Sequence, residues 1–317
     1  MTTTTVGHAQ SLRRAQSSRA AKDRHTLPRA ERWRRRGPLL PALIFTIVVT
    51  QIPFLVTIWY SLRSRNLLNP GSDQFVGLAN YGDIVLDSTF RQAAVNSVVI
   101  TLGCVVVAMA LGIGLALLLD RSFPGRSVAR TLLITPFLLM PVASSVLWSM
   151  AILNPTFGLF NWTIGLVGID PVDWTSTFPV LSIVMALVWQ WTPFMMLLVL
   201  AGLQAQPKDV LEAAQMDGAG PGRTFVSITL PQLRRYIELG LLLGIIYVVN
   251  TFDQIYLMTA GGPGTASANL PFYIYQRAFL GFDVGQAAAM GVVVVIATII
   301  VASAALRLIF RSFDVKE

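Results

Sequence analysis

The sequence predicts an all-α membrane protein with six transmembrane helices and both termini in the cytoplasm. Of its 317 residues, 54% are hydrophobic and only 13% are charged, with a mean hydropathy of +0.62; soluble domains carry about 25% charged residues. Six apolar stretches reach the roughly 20 residues that a helix needs to cross a hydrocarbon core about 30 Å thick. Lys and Arg also divide unequally across a six-span layout, twenty on the inner side and four on the outer.

The first region is residues 1–36, with ten Lys/Arg and two acidic residues, so the net charge of +8 lies entirely in this arm. The other 281 residues carry fourteen charges of each sign and are neutral. A basic arm beside a hydrophobic span reads as a partly disordered cytoplasmic tail that touches anionic lipid headgroups; no nucleic-acid partner is expected. A tail resting on a partner protein is the alternative. The apolar stretch after Arg36 runs about 25 residues, past the roughly 7 to 15 of a signal-peptide core, and no small-residue cleavage site follows. The first span is therefore expected to stay attached.

Residues 37–317 make the membrane domain. Its spans are expected at Leu39–Leu62, Ala94–Leu119, Thr131–Leu153, Val180–Leu203, Leu239–Met258 and Ala287–Phe310. Pro53, Pro141 and Pro193 fall inside spans and should kink them. Ala108 with Gly112, and Ala110 with Gly114, are small-residue pairs four apart that would let the second span approach a neighbour closely. The segment Asn154–Pro179 has no Lys or Arg but carries Trp162 and Trp174, as an outer loop at the lipid interface would, and a short surface helix is expected in it.

Side chains for covalent chemistry are scarce. Cys104 is the single cysteine and sits in an apolar run, where it reads as a small core residue. His8 and His25 both lie in the tail, so the body has no imidazole for base or metal work. No G-x-x-x-x-G-K-[ST] phosphate cradle is present. No catalytic residue, metal ligand or cofactor site is assigned.

The most patterned segment is the loop at 204–237 between the fourth and fifth spans. Pro207 suits the first turn of a helix, Asp209 and Glu212 favour its N-terminal end, and Gly218 and Gly220 break it, so two short helices are expected. Val210, Ala213, Ala214 and Asp217 fall along one side. A helix presenting alanines can sit deep in a partner's groove while Glu212 meets an arginine there. A solvated connector would also explain the helices, but not the pattern that ends at Leu230 and Pro231.

Here the sequence resembles a known family. Glu212, Ala213, Ala214, then Asp217, Gly218, Ala219, then Phe225, Ile228, Leu230 and Pro231 match the EAA motif of permeases in binding-protein-dependent ATP-binding cassette (ABC) importers. Arg235 stands where such permeases often have a second proline. The resemblance implies the type I permease fold of these importers, in a bacterial inner membrane, with these ten residues forming coupling helices that dock on a cytosolic ATPase. It further implies a heterodimer with a second permease, two ATPase subunits that bind the ATP and Mg, and an extracytoplasmic substrate-binding protein.

A second resemblance covers Thr251–Gly285. Phe252-Asp253, Ile255-Tyr256, Thr259 to Pro263, Tyr273 and Phe279 are similar to the carbohydrate branch, the maltose-type permeases, which implies a sugar, polyol or glycoside substrate. A neutral polyhydroxylated solute needs uncharged hydrogen-bond partners and flat aromatic faces. On a continuous fifth span Tyr247, Asn250 and Gln254 would share one face with Asp253 beside it, and Trp189, Gln190 and Trp191 of the fourth span would add amide and ring surface. The same amides could serve only as glue between helices, and Asp253 could lie at the outer interface. The rival class is a secondary transporter without an ATPase, which predicts inverted repeats, broken helices and midplane charges; the sequence displays none of them.

Overall fold

The computed structural model describes residues 39–69, 71 and 73–311. The basic arm at 1–36 lies outside the described residues. The chain divides into two units, one ending at Val56 and the other beginning at Thr57. The apolar helix α1 (Leu39–Ser61) runs past that boundary, and its part in the first unit exposes its side chains from Pro41 to Val56. Its Thr46 and Thr50 hydroxyls donate to the carbonyls four residues back, which satisfies these two donors within the helix.

After the end of α1, the second unit holds a short helix, α2 (Ala79–Leu86), followed by the long α3 (Ser88–Asp120). Asp87 caps α3 by accepting from the Thr89 amide at 2.8 Å. α4 (Arg126–Leu138) and α5 (Pro141–Val146, continued by a π turn at Leu147–Ile152) meet at 97°. The third stretch was expected as one kinked span; it forms two helices with a sharp bend between them. Pro141 sits at the first turn of α5, and Met140 before it takes the extended backbone that a following proline favours. Pro53 and Pro193, by contrast, lie inside helices that continue through them.

α6 (Leu159–Gly165) and α7 (Trp174–Thr177) then occupy the segment expected to carry a surface helix. α8 (Pro179–Gln204) packs along α3, and the core lies between them: Ile100, Cys104, Val105, Ala108, Ile183, Leu187, Met195, Met196 and Val199 are all buried. Of the two small-residue pairs, Ala108 and Gly112 face this contact, whereas Ala110 and Gly114 are exposed.

The next segment holds α9 (Lys208–Met216) and α10 (Pro221–Thr224), which runs through a π turn at Phe225–Thr229 into α11 (Leu230–Val248). The expected second short helix is thus the foot of the fifth span rather than a separate element. α11 stops at Val248, and helix resumes at α12 (Asp253–Met258). The continuous span expected over Leu239–Met258 is therefore broken at Val249–Phe252. The Thr251 carbonyl freed by the break accepts from the Asn269 side chain, the kind of replacement partner a buried break needs.

The loop after α12 is held from below. Asn96 Nδ2 donates to the Ala266 and Ala268 carbonyls at 2.9 Å each, and Ser97 Oγ accepts from the Leu270 amide at 2.8 Å. Gly261, at φ +78°, is required here, since a Cβ on it would meet the Phe272 ring at 2.3 Å. α13 (Leu270–Tyr275, continued by a π turn at Gln276–Leu280) and α14 (Val284–Arg311) complete the described chain. Among the described residues four helices are individually long and apolar enough to span a membrane, or five when α4 and α5 count as one.

Candidate functional site

Two regions carry the residues singled out by sequence. At α9, Pro207 precedes the first turn and Asp209 sits inside it. The C-terminus closes as a Schellman motif: the Gly218 amide donates to the Gln215 carbonyl and the Ala219 amide to the Ala214 carbonyl, each at 3.0 Å, with Gly218 at φ +76°. That geometry accounts physically for the glycine in Asp217-Gly218-Ala219.

Along the side of α9 expected to dock, Val210, Ala213 and Asp217 are exposed. Ala214 is buried, and Val210, Ala213 and Asp217 line a concavity of about 570 Å³ shared with Arg223, Ser227 and Ile228 of the following turn. Glu212 and Met216, one turn apart, are exposed as well, Met216 at 90%. Phe225, Ile228 and Leu230 are half-buried, and Pro231 occupies the first turn of α11. Gln206 Nε2 donates to the Thr229 carbonyl at 3.3 Å, fastening the end of α8 to the foot of α11.

The second region surrounds the two helix breaks. Tyr247, Asn250 and Gln254 do not share a helix face, because the backbone unwinds between Asn250 and Gln254. Asn250 is exposed and its Nδ2 donates to the Ile246 carbonyl at 2.7 Å. Tyr247, 56% exposed, stacks on Trp191 with ring centroids 5.5 Å apart. Asp253 is half-buried in the first turn of α12, and Trp189 meets Trp148 edge to face. Gln190 and Gln254 are 6% and 3% exposed, and Gln254 Nε2 donates to Gln190 Oε1 at 2.8 Å. These two amides are used inside the protein.

Sequence reading did not find two clusters. Phe252 stacks on Tyr256 at 5.4 Å, and both pack against Tyr275, which continues to Phe279. Phe252, Tyr256 and Phe279 were noted only through resemblance; Tyr275 gave no separate signal. The other cluster is Asp87, Tyr273 and Arg277. Asp87 Oδ2 accepts from the Tyr273 hydroxyl and, at 2.9 Å, from Arg277. Burial pushes the Asp87 carboxyl up, but the hydrogen bonds from Tyr273, the Thr89 amide and Arg277, with the guanidinium charge, hold it below the usual carboxylate range. Tyr273 and Arg277 are one helical turn apart, a visible spacing, but nothing in the chain pointed to Asp87 186 residues earlier.

Among the described residues no group of His, Cys, Asp and Glu could hold a metal ion. The described chain is a bundle of apolar helices with two helix breaks and uncharged amides and rings near them. The chain belongs to the family described as binding-protein-dependent transport system inner membrane component, which matches residues 108–315. It is 36% identical to the trehalose/maltose transport system permease protein MalF of Thermococcus litoralis over 78% of this chain and 85% of that one. It is 35% identical to the trehalose transport system permease protein SugA of Mycobacterium tuberculosis over 80% and 81% of the two chains. The fold is shared with a chain of a bacterial ABC transporter involved in the import of the acidic polysaccharide alginate, at a TM-score of 0.77 and 19% identity, over 91% of this chain and 98% of that one.

The chain is therefore a multi-pass inner membrane protein and a permease subunit of an ABC importer; ATP hydrolysis belongs to a partner subunit. Broken helices, which the rival class of secondary transporters would predict, are present after all, and family membership assigns them to the importer instead.

Proposed function

We propose that this subunit forms half of the pathway of a carbohydrate importer, for a sugar, polyol or glycoside, and transmits ATPase movement to it through α9. The observation that carries the coupling role is α9 with its neighbour: Glu212 stands outward on a helix closed by Gly218, and the segment after that turn runs from Pro221 into α11 without a break. A push on α9 is passed through the turn at 217–220 to α10 and α11. The carbohydrate class is supported by the trehalose and maltose systems named for the two relatives, and by uncharged partners at the breaks.

In the full reading the third span is α4 with α5 and the fifth is α11 with α12, making six spans with both termini cytoplasmic. A second permease completes a heterodimer. Two ATPase subunits bind ATP and Mg and dock at Glu212, Ala213, Ala214, Asp217, Gly218, Ala219, Phe225, Ile228, Leu230 and Pro231. An extracytoplasmic binding protein delivers the solute. Tyr247, Asn250, Asp253 and Trp191 face the pathway, and Gln190 and Gln254 support its wall.

The test is a mild-detergent pull-down from the native membrane, with identification of the co-purified subunits and a panel of sugars and polyols assayed for stimulation of ATPase activity with the binding protein present. Recovery of an ATPase stimulated by one carbohydrate is the expected result. A chain recovered without any nucleotide-binding partner overturns the reading.

A further inference from the structure

The two helix breaks are far apart in sequence yet joined through one buried amide. Gln190 Nε2 donates to the Leu139 carbonyl at 3.2 Å, and Gln190 Oε1 accepts from Gln254 Nε2 at 2.8 Å. Leu139 caps the end of α4, so its carbonyl is one of those that the break before Pro141 leaves without a helical partner. Gln254 is the second residue of α12, directly after the other break. The helices beyond the breaks, α5 and α12, pack on each other.

We infer that Gln190 is a positioning residue that ties the broken third span to the broken fifth, so that the two elbows change angle together. Simple helix glue would bond to any neighbouring group, and hydroxyls such as Ser97, Thr192 and Thr298 bond to a carbonyl four residues back on their own helix. Gln190 spends its donor on one break and its acceptor on the side chain that opens the other. Both amides are buried among apolar groups, where no water competes and an unmatched amide is unfavourable. A shift of either elbow alone would leave one amide unpaired; a joint shift keeps both bonds. That is a two-arrangement element of the kind that conveys movement across a bundle. With α9 joined by the turn at 217–220 to the continuous segment from Pro221 through α11, movement at Glu212 would pass into the fifth span and, by way of Gln190, into the third.

This inference rests on the ATPase-coupled reading, and the experiment separates the two. The intact complex is purified with wild-type chain, Gln190→Met, Gln254→Met and the double variant, and both solute uptake and ATP hydrolysis are measured in proteoliposomes with the binding protein and the stimulating sugar. Methionine keeps the length and removes both hydrogen bonds. Each single variant is expected to assemble, to hydrolyse ATP without added solute faster than wild type, and to transport about fivefold or more less solute per ATP. The double variant is expected to be no worse than either single one, because all three break one connection. An unchanged transport-to-ATP ratio in assembled variants overturns the inference, as do additive losses. Should Gln190→Met not assemble, Gln254→Met decides alone, since it leaves the Leu139 bond in place; failure of both to assemble assigns the pair to packing and overturns the inference. Absence of an ATPase from the wild-type preparation sinks the parent reading instead.

Discussion

Gly112 on α3 lies so close to Met195 on α8 that a Cβ on the glycine would come within 2.7 Å of the Met195 Cβ and 2.9 Å of the Met196 amide nitrogen. One of those atoms is backbone, so the neighbour cannot swing away. Gly112→Ala is expected to force the two central helices apart and to destabilise the protein by about 1–3 kcal/mol. Gly114→Ala, at a position with nothing within 4 Å, should be neutral or slightly stabilising, since alanine favours a helix interior by roughly 1 kcal/mol over glycine. Thermal unfolding of both variants in detergent checks this; equal behaviour of the two would remove the close-approach explanation.

Asp87 joins the start of α3 to Arg277 and Tyr273. Its folded-state carboxyl titrates below the unfolded value, so the cluster stabilises the fold above that unfolded value and loses the contribution as pH falls through the lowered folded one. Asp87→Asn should therefore melt below wild type near neutral pH, with the gap closing from about pH 5 downward as wild type loses its advantage. A gap that does not narrow on acidification would show that charge is not the source.

Asn161 organises the loop between α5 and α8. Its Nδ2 donates to the Asn154 and Val172 carbonyls, and its Oδ1 accepts from the Val172 amide and from Trp174 Nε1 at 2.9 Å. Around it Phe157, Trp162, Leu166 and Val167 are exposed. Asn161→Ala leaves several of these groups unpaired, each at about 1–3 kcal/mol if it stays buried. Faster limited proteolysis within residues 154–178 is expected, with the α3–α8 core unaffected.

Glu212→Lys reverses the charge on the outward face of α9 without touching its caps. Uptake should fall at least tenfold while membrane insertion and expression stay normal. Normal uptake would discard docking through Glu212.

Asn250 hydrogen-bonds only within its own turn, to Ile246, and remains exposed. Asn250→Ala should lower transport and leave complex assembly intact. Combined with Gln254→Ala, it should lower transport further, because the second change also breaks the buried bond to Gln190. Loss of assembly with Asn250→Ala alone would return that residue to a packing role.

Much of this was readable before any coordinates. The apolar stretches at 180–203 and 287–310 became α8 and most of α14 because a run of that length in lipid has no alternative to helix. Gly218 ended α9 as anticipated, since a left-handed residue after a helix C-terminus is a local requirement. The break at Val249–Phe252 was not readable. No proline or glycine marks it, and its stability comes from Asn269, nineteen residues after Asn250, reaching back to the Thr251 carbonyl. The assignment of Gln254 to a shared face with Tyr247 failed for that reason alone.

By itself, then, the sequence determined the solvent of the chain, the sites of most helices and the motif at Glu212 to Pro231, because hydropathy, glycine placement and spacing act over a turn or two of backbone. Tertiary structure alone decided which amides stay exposed and which are consumed internally, that the helix breaks at Pro141 while it continues through Pro193, and that Asp87 meets Arg277. Those outcomes depend on which partner a freed carbonyl or buried charge finds across the bundle, and such partners lie up to 190 residues away in the chain.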